Sequence, residues 1–476
     1  NGRFFDCGTP RAVDPDDQRS VGPVAAAHWL KVARTLVDNS RMIPVRPDIL
    51  YKTPGRVALV LAGGAARGAY EVGVVQHIVE EVSRDLGRDV PLDIICGTSV
   101  GAINGCGLAA FADAPRSRAR RLVSQWQSLK MDDVVRIKPM HLAQFVRSLI
   151  SRAPRASEIS EDRYGGLIEP SGMESIIRNA IPFERITEHL QSGLLQAVTA
   201  SATHIATGNT VVFISRSSHG VPRWSRDPKV VPRKVAELRM QHALASAAIP
   251  LVFPSVRVDG EFYCDGGLRQ NVPLSPARHL GANGMIVVSP RYVGEIQKIP
   301  ERPNPSAKMP SPLFLVGKAL NALLLDRVEN DIERLQRINQ ILLAGQNQFG
   351  EEFLPKLNQA MGYHNKTEGM KPLSALLVRA SDNIGRMAVD YVCSPTFAKR
   401  TPGALGRLAR IICEMDAEDE SDLLSYLLFD GEFAMQLIEL GRRDAKAVHQ
   451  DFLRFFTSLP ADLNPAIYPP APENKH

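Results

Sequence analysis

The chain has 476 residues, enough for two or three domains with a large buried core. Hydrophobic residues make up 44% and charged residues 23%, which is typical of a globular protein and excludes a disordered or fibrous chain. The net charge of +6 suits contact with an anionic surface, but no block of Lys and Arg with interleaved aromatic residues is present. Nucleic acid is therefore not expected as a partner.

The six cysteines are scattered, with no C-x-x-C pair and no histidine at ligand spacing. This pattern disfavours a disulfide framework and a metal site, and it fits a reducing compartment. No secretory signal is visible, although the chain begins with Asn rather than Met, and no apolar run is long enough to span a bilayer. We expect a cytoplasmic protein that meets a membrane only peripherally.

The first predicted strand leads into a glycine-rich loop. Residues 1–50 predict an N-terminal extension, and the apolar run from Val57 to Ala62 then predicts a buried strand. The loop over 63–68 follows it and precedes a helical pattern, an arrangement that can bind an anion through backbone N–H groups. Its spacing matches neither a P-loop nor a dinucleotide fingerprint. An oxyanion site and a tight structural turn both remain open.

The second strand leads into a serine motif. Leu92–Ile95 predicts a short buried strand, Gly97-Thr98-Ser99-Val100-Gly101 follows it, and small apolar residues after the motif predict a packed helix. A strand, G-x-S-x-G and a helix form the nucleophile-elbow pattern. Gly97 and Gly101 let the backbones pass closely, and the helix directs its free N–H groups at charge that develops near Ser99. The motif alone is a weak signal.

Further along, two apolar runs at 195–200 and 210–214 predict a hairpin around Gly208-Asn209. The third motif follows: Asp265-Gly266-Gly267 predicts a tight turn that holds an acidic side chain at a loop tip. An aspartate at a turn is normally a capping residue. Beside a serine elbow and a glycine-rich loop, Asp265 becomes a candidate base.

The three motifs together resemble the patatin-like phospholipase family of the bacterial type. The resemblance rests on Gly63-Gly64-Ala65-Ala66-Arg67-Gly68, Gly97-Thr98-Ser99-Val100-Gly101 and Asp265-Gly266-Gly267. The segments 245–250 and 271–273 are also similar to that family, so that the likeness covers about residues 55–290. It implies a dyad without a histidine, in which Ser99 is the nucleophile and Asp265 the base.

The resemblance also implies an oxyanion hole in the glycine-rich loop. Backbone N–H groups near Gly63, Gly64 and Ala65 would stabilise the oxyanion, and Gly68 completes the motif. Arg67 would steady the loop or attract an anionic substrate. The family commonly has a third consecutive glycine where this chain has Ala65. If that position requires a positive φ, alanine costs about 1 kcal/mol or more.

The chemistry of the residues supports the dyad. A serine hydroxyl is a poor nucleophile until a positioned base accepts its proton, and partial burial would raise the pKa of Asp265 towards the useful range. A Ser-Asp-His triad is the alternative. Its histidine would follow Asp265 in the chain, and His279 or His364 would be the candidate.

The remaining elements predict an α/β fold with a mainly parallel central sheet flanked by helices, plus a mostly helical C-terminal region. The resemblance implies that the α/β part is a three-layer patatin-like core. Gly284–Ser289 and Ser374–Arg379 predict further strands, and 312–344 predicts a long helix. The prolines between 294 and 312 predict a linker. The predicted segments are an N-terminal extension (1–50), a catalytic domain (51–295), a linker (296–312) and a C-terminal region (313–476).

The expected function is hydrolysis of a fatty-acyl ester, in a phospholipid or another acyl-ester lipid, through an acyl-Ser99 intermediate. This chemistry needs no metal or organic cofactor. A non-catalytic lipid- or protein-binding module and an acyltransferase or thioesterase with the same dyad are the alternatives. The C-terminal helices are expected to pack on the catalytic domain or in a homodimer.

Overall fold

The computed structural model describes most of the chain between Arg56 and Ser458. The described residues are 56–136, 159, 161–217, 224, 228–269, 272–292, 328–363, 369–403, 405–407, 409–411 and 422–458. The predicted N-terminal extension, the predicted linker, the first part of the predicted helix over 312–344, and His364 lie outside them. The boundary predicted between 295 and 313 therefore stays a prediction.

Within the described residues, ten strands form one sheet. They are β1 Val57–Leu61, β2 Ile94–Thr98, β3 Arg163–Tyr164, β4 Ala197–His204, β5 Thr210–Arg216, β6 Val230–Lys234, β7 Ser255–Val258, β8 Glu261–Asp265, β9 Gly284–Ser289 and β10 Ser374–Arg379. The main strand order is β10-β9-β1-β2-β4-β8-β7-β3, and β5 pairs with both β4 and β6. From β10 through β9, β1 and β2 to β4, each strand pairs in parallel with the next.

The rest of the sheet is largely antiparallel. The predicted hairpin is confirmed, because β4 and β5 pair antiparallel, as do β7 and β8. Short connections join antiparallel strands, whereas parallel strands need a long crossover, usually through a helix. The mainly parallel sheet expected from the sequence therefore describes the five strands with crossovers, and the hairpins add an antiparallel part.

Helices cover both faces of the sheet. They are α1 Gly68–His77, α2 Ser83–Asp85, α3 Val100–Ala110, α4 Arg118–Gln127, α5 Met131–Val134, α6 Ser171–Ala180, α7 Glu184–Gln191, α8 Met240–Ser246, α9 Leu274–His279, α10 Val328–Phe349, α11 Phe353–Ala360, α12 Ile384–Val392, α13 Pro395–Arg400, α14 Asp422–Leu427, α15 Gly431–Ala447 and α16 His449–Ser458. A π-helical turn, Ile78–Val82, joins α1 to α2. Among the described residues, none of the helices has the length and apolar character that a bilayer crossing requires.

The three-layer arrangement follows from the residues of β1. All five of its residues are buried, as expected for a central parallel strand covered on both faces. Leu59 and Leu61 belong to the larger hydrophobic core on one face, and Ala58 and Val60 belong to the second core on the other face. The predicted α/β fold with a helical C-terminal region is confirmed.

The C-terminal region shares the sheet and the larger core. The predicted strand β10 pairs in parallel with β9. Helix α15 packs against α1 at two glycines, since a Cβ added at Gly73 would overlap the Ile438 carbonyl and one added at Gly441 would overlap the Tyr70 carbonyl. The two helix backbones therefore approach as closely as glycine allows.

Candidate active site

Ser99 occupies a sharp turn between β2 and α3. Its φ of 55° and ψ of −130° lie in a region that non-glycine residues rarely adopt, and its side chain is almost fully buried. Gly97 and Gly101 make the turn possible: a Cβ at Gly97 would overlap the Gly101 carbonyl, and one at Gly101 would lie 2.5 Å from the Leu61 carbonyl oxygen. The serine motif thus forms the predicted strand–turn–helix.

Two strand ends bring Ser99 and Asp265 together. Thr98, the last residue of β2, pairs with Ser201 of β4, and Asp265, the last residue of β8, pairs with the next residue of β4, Ala202. The other edge of β4 is occupied by β5. The ends of β2 and β8 therefore meet on one edge of β4, although 166 residues separate Ser99 from Asp265.

The two side chains are hydrogen-bonded. Ser99 Oγ donates to Asp265 Oδ2 at 2.6 Å, the geometry that transfer of the hydroxyl proton requires. The Ser99 N–H donates to Ser246 Oγ at 2.9 Å, and that hydroxyl donates to the Ser201 carbonyl at 2.5 Å. Ser246, in α8, thus links the strained turn at Ser99 to β4.

Asp265 is fully buried at the end of a strand, and the prediction that it lies at a loop tip is wrong. It ends β8 with no exposed surface and begins a 3₁₀ turn, Gly266–Leu268, whose Gly267 N–H donates to Asp265 Oδ1 at 2.7 Å. Thr203 Oγ1 donates to the Asp265 carbonyl at 2.9 Å. Burial raises the pKa of Asp265 to about 7, although the hydrogen bonds from Ser99 and Gly267 lower it. A carboxylate in this range can act as a base at neutral pH.

The glycine-rich loop lies against the first turn of α3, next to Ser99. Gly63 and Gly64 follow β1, and a 3₁₀ turn over Ala65–Arg67 leads to Gly68, the first residue of α1. A Cβ at Gly68 would lie 2.5 Å from Val100 Cγ2. The first N–H groups of a helix have no intrahelical acceptor, and the loop lies beside this end of α3.

Ala65 has a positive φ, the condition under which the sequence analysis expected alanine to be strained. Its φ is 49°, in the left-handed region where alanine is strained. Gly64 before it has a φ of 166°, which is ordinary extended backbone. The left-handed residue of the loop is therefore Ala65, which directly follows the two glycines and stands where a third glycine would be unstrained.

Arg67 is directed away from solvent. Its side chain is 3% exposed, its Nε donates to Ser425 Oγ at 2.8 Å, and its guanidinium carbon lies 4.3 Å from the centroid of the Tyr426 ring. Its backbone N–H donates to the Gly64 carbonyl at 3.0 Å. These contacts fit the loop-steadying role and leave the guanidinium poorly placed to attract a substrate.

A buried polar cluster that the sequence analysis missed lies behind the loop. Asn104 Nδ2 donates to the Gly68 carbonyl and to Glu71 Oε2, both at 3.0 Å, and Trp126 Nε1 donates to Asn104 Oδ1 at 3.1 Å. Burial raises the pKa of Glu71 well above its ordinary value, which favours the neutral carboxyl. The available signal was Asn104, the polar residue of an otherwise apolar helix, together with a glutamate among small and apolar residues at the start of α1.

His279, one of the two candidate histidines of the alternative triad, occupies other surroundings. His279 lies in α9 and stacks on Trp224, with the ring centroids 5.0 Å apart. His204 ends β4 and pairs with Glu261 at 3.2 Å. The Ser99 hydroxyl itself donates its hydrogen bond to a carboxylate oxygen, Asp265 Oδ2. Across the described residues, no group of three or more His, Cys, Asp or Glu side chains is arranged to hold a metal ion.

Comparisons with known proteins match about half of this chain. The family model for patatin-like phospholipase matches residues 59–278. The patatin-like phospholipase domain-containing protein 7 of Rattus norvegicus is 27% identical over 237 residues, which are 50% of this chain and 14% of that protein. The cGAMP-activated phospholipase of Pseudomonas aeruginosa is 28% identical over 215 residues, which are 45% of this chain and 53% of that protein.

A third relative is the lysophospholipase nte1 of Aspergillus terreus, which is 40% identical over 77 residues, 15% of this chain and 5% of that protein. This chain thus aligns with about half of the bacterial relative's length and with a small part of the other two. The matched segment contains the glycine-rich loop, the serine elbow and the aspartate turn. Residues 59–278 of this chain therefore form a domain of the patatin-like phospholipase family.

Proposed function

We propose that this chain is a lipid acyl hydrolase of the phospholipase A type, which cleaves a fatty-acyl ester of a glycerophospholipid through a Ser–Asp dyad. The observation that carries the proposal is the 2.6 Å hydrogen bond from Ser99 Oγ to Asp265 Oδ2 at a strained strand–helix turn. Family membership supports lipid hydrolysis in general. The ester position and the dyad mechanism are the proposed parts.

In the first half of the reaction, Ser99 Oγ attacks the ester carbonyl carbon as Asp265 accepts the hydroxyl proton. The tetrahedral intermediate collapses, the ester C–O bond breaks, and Asp265 returns the proton to the departing lysophospholipid alcohol. The acyl group stays on Ser99 as an ester. The pKa of Asp265, which burial raises to about 7, suits both the uptake and the return of the proton near neutral pH.

The glycine-rich loop would stabilise the negative charge of both tetrahedral intermediates. Backbone N–H groups at Gly63, Gly64 and Ala65 are the proposed donors, together with the first turn of α3. The loop packs against that turn at Gly68 and Val100, which supports a shared anion site. Removing one such donor in a serine hydrolase costs roughly 10²–10³ in kcat.

In the second half, a water molecule attacks the acyl carbonyl while Asp265 accepts one of its protons. The acyl C–O bond to Ser99 breaks, the proton returns to Ser99 Oγ, and the fatty acid leaves. An acyltransferase would follow the same course with an alcohol in place of water. We propose that the substrate is met at a membrane surface, where phospholipid esters are concentrated.

The experiment is labelling with a fluorophosphonate probe and peptide mapping on wild type, Ser99→Ala and Asp265→Asn. We expect a label on Ser99 of wild type that both substitutions abolish. Ser83→Ala is the matched control, because Ser83, in α2, is also a buried serine. Its Oγ accepts the Val90 N–H at 3.1 Å. This control should label like wild type.

Fatty-acid release from phosphatidylcholine in mixed micelles, followed by mass spectrometry, then tests the substrate. Release of one fatty acid and a lysophospholipid by wild type, but not by Ser99→Ala, supports the proposal. Folded wild type that neither labels nor releases fatty acid when short-chain lipid is present overturns it and favours a lipid-binding module.

A further inference from the structure

We infer that Ser425 and Tyr426 of the C-terminal helix α14 are positioning residues for the oxyanion loop: they hold the Arg67 side chain and thereby fix the loop relative to Ser99. This inference rests on the proposed function of the same site. It assigns a role in the reaction to a region that lies outside the segment matched by the family model, 59–278.

The contact between α14 and the loop is buried and polar. Ser425 has no exposed surface, and the exposed fractions of Tyr426 and Arg67 are 1% and 3%. Arg67 Nε donates to Ser425 Oγ at 2.8 Å, and the guanidinium lies over the Tyr426 ring at 4.3 Å. A charged group removed from water in this way depends strongly on the partners that it has. The Arg67 side chain is therefore confined by α14.

That confinement reaches the backbone of the loop because Arg67 lies inside its tightest part. The 3₁₀ turn has three residues, begins after Gly64, includes the left-handed Ala65 and ends before Gly68. A strained residue persists only where its surroundings fix it. Gly68, directly after Arg67, contacts Val100 next to the nucleophile. A shift of Arg67 would therefore change the position of the loop relative to Ser99.

The C-terminal region also fixes the helix that follows the loop. Tyr70 in α1 donates from its hydroxyl to Asp444 Oδ2 at 3.1 Å, and Asp444 Oδ1 accepts from Ser381 Oγ at 2.5 Å. The close approach of α1 and α15 at Gly73 and Gly441 adds a second restraint. Helix α14 thus holds Arg67 within a region that is itself fixed against α1.

The test compares Ser425→Ala and Tyr426→Leu with Ser394→Ala in the full chain. Ser394 is a matched control because it lies in the same C-terminal region and its Oγ accepts a backbone N–H, that of Phe397, at 3.3 Å. It caps α13 and is not part of the Arg67 contact. Hydrolysis of a soluble p-nitrophenyl ester is measured well below the unfolding temperature, per mole of enzyme titrated at Ser99.

We expect kcat to fall at least about tenfold in Ser425→Ala and in Tyr426→Leu, because a loop displaced by a fraction of an ångström loses its alignment with the transition state. KM should change less than about twofold, since the lost contact acts on the transition state and not on bound substrate. Ser394→Ala should retain the wild-type kcat. Wild-type kcat in both α14 variants overturns the inference, and so does an equal loss in Ser394→Ala.

Amide hydrogen exchange keeps the inference testable when wild type proves inactive. In that case the proposed function has failed, but the peptide that covers 63–68 still reports on the loop. We expect faster exchange in this peptide for Ser425→Ala than for Ser394→Ala. Equal exchange in the two variants means that α14 does not hold the loop.

Discussion

The two halves of the candidate site are held in different ways. Ser99 and Asp265 are fixed inside the sheet, because the strands that end at them share one edge of β4 and Ser246 joins the Ser99 N–H to the Ser201 carbonyl. The glycine-rich loop is instead held by side chains from far along the chain, since 358 residues separate Arg67 from Ser425.

The residues proposed to carry out the chemistry and those that position the glycine-rich loop therefore lie in different parts of the chain. The groups proposed to exchange the proton belong to the segment that the family model matches, whereas Ser425, Tyr426 and Asp444 lie beyond it. Changes in the dyad half should therefore act on proton transfer. Changes in the loop half should act on geometry and on the stability of the contact with the C-terminal region.

The largest expected effect is in the dyad half. Asp265→Asn should lower kcat/KM by about 10³–10⁴, because it removes the base and keeps the shape. In wild type, kcat/KM should rise as the pH increases and level off above a pKa of about 7, where Asp265 is ionised. Rates on a soluble ester between pH 5 and 9 test both statements. A flat profile in wild type would contradict Asp265 as the base.

The same substitution should stabilise the fold at high pH. The folded-state pKa of Asp265 is raised from 3.8 to about 7, so that the folded chain binds a proton that the unfolded chain has lost. Stability therefore falls as the pH rises through this window, by about 2.5 kcal/mol between pH 5 and pH 8. Asparagine does not titrate, so Asp265→Asn does not lose stability in this way. In urea unfolding, the difference in unfolding free energy between the variant and wild type should shift in favour of the variant by about 2.5 kcal/mol from pH 5 to pH 8.

Ser246→Ala should have the next largest effect. It leaves the buried Ser99 N–H and Ser201 carbonyl without the hydroxyl that joins them, which costs about 1–3 kcal/mol of unfolding free energy. We also expect kcat to fall roughly tenfold, because the strained turn at Ser99 is less firmly held. Urea unfolding and kcat of the titrated enzyme measure the two effects.

Ser201→Ala is the matched control for that experiment. The Ser201 Oγ is buried and has no hydrogen-bond partner among the described residues, whereas the carbonyl that Ser246 contacts remains after the substitution. Because this substitution removes a buried hydroxyl that has no partner, it should leave the unfolding free energy nearly unchanged. Equal destabilisation by the two substitutions would mean that burial, and not the hydrogen bond, holds the turn.

The difference between the halves also explains which features were predictable. The strand and turn around Ser99, the glycine-rich loop and the turn at Asp265 are each encoded by adjacent residues, so that their motifs were visible. The bonds of Ser246 to Ser99 and of Ser425 to Arg67 join segments 147 and 358 residues apart. Spacing along the chain carries no signal for such contacts.

Other features depended on three-dimensional context in the same way. The sequence indicated that Asp265 lies in a turn, but its complete burial depends on the strands around it, and burial is what raises its pKa. The sequence indicated that a positive φ at Ala65 would be strained, but not that Ala65 has one. Neither Glu71 nor Asn104 belongs to a motif, and their hydrogen bond was not predicted from the sequence.

Acid should weaken the contact of the C-terminal region with α1, the helix that follows the glycine-rich loop. His77 in α1 and His449 in α16 have ring nitrogens 3.0 Å apart, and His449 contacts Asp85 at 3.0 Å. Burial, and then the neighbouring His449, lower the pKa of His77 to about 4. The unfolded chain therefore binds more protons between pH 6.5 and 4, so that stability is present above this window and falls as the pH decreases through it.

His77→Gln should reduce that loss, because glutamine keeps a donor near His449 and does not titrate in this range. We expect the unfolding free energy of wild type to fall between pH 7 and pH 5 by roughly 1 kcal/mol more than that of the variant. Parallel curves for the two proteins would show that protonation of His77 does not weaken the contact between α1 and α16.

The smallest effect is expected at Ala65, where the loop half has no glycine. Ala65→Gly removes the strain of a φ of 49°, about 1 kcal/mol or more, but it adds roughly 0.5–1 kcal/mol of backbone entropy to the unfolded chain. The net change should be a stabilisation of about 0.5 kcal/mol or less. Urea unfolding measures it best against Ala66→Gly, since Ala66 is the next residue, is equally buried and is not among the described residues with positive φ.

Ala66→Gly should lower the unfolding free energy by about 0.5–1 kcal/mol, because glycine increases the backbone entropy of the unfolded chain and no strain is relieved. A gap of about 1 kcal/mol between the two variants, with kcat unchanged in Ala65→Gly, would mean that contacts from outside the loop hold Ala65 in a conformation that it does not favour. Equal losses would mean that the left-handed residue is unstrained, and that the loop could keep its shape without the C-terminal region. The comparison of the two alanines therefore measures, within one turn, how strongly the loop conformation depends on its contacts with the C-terminal region.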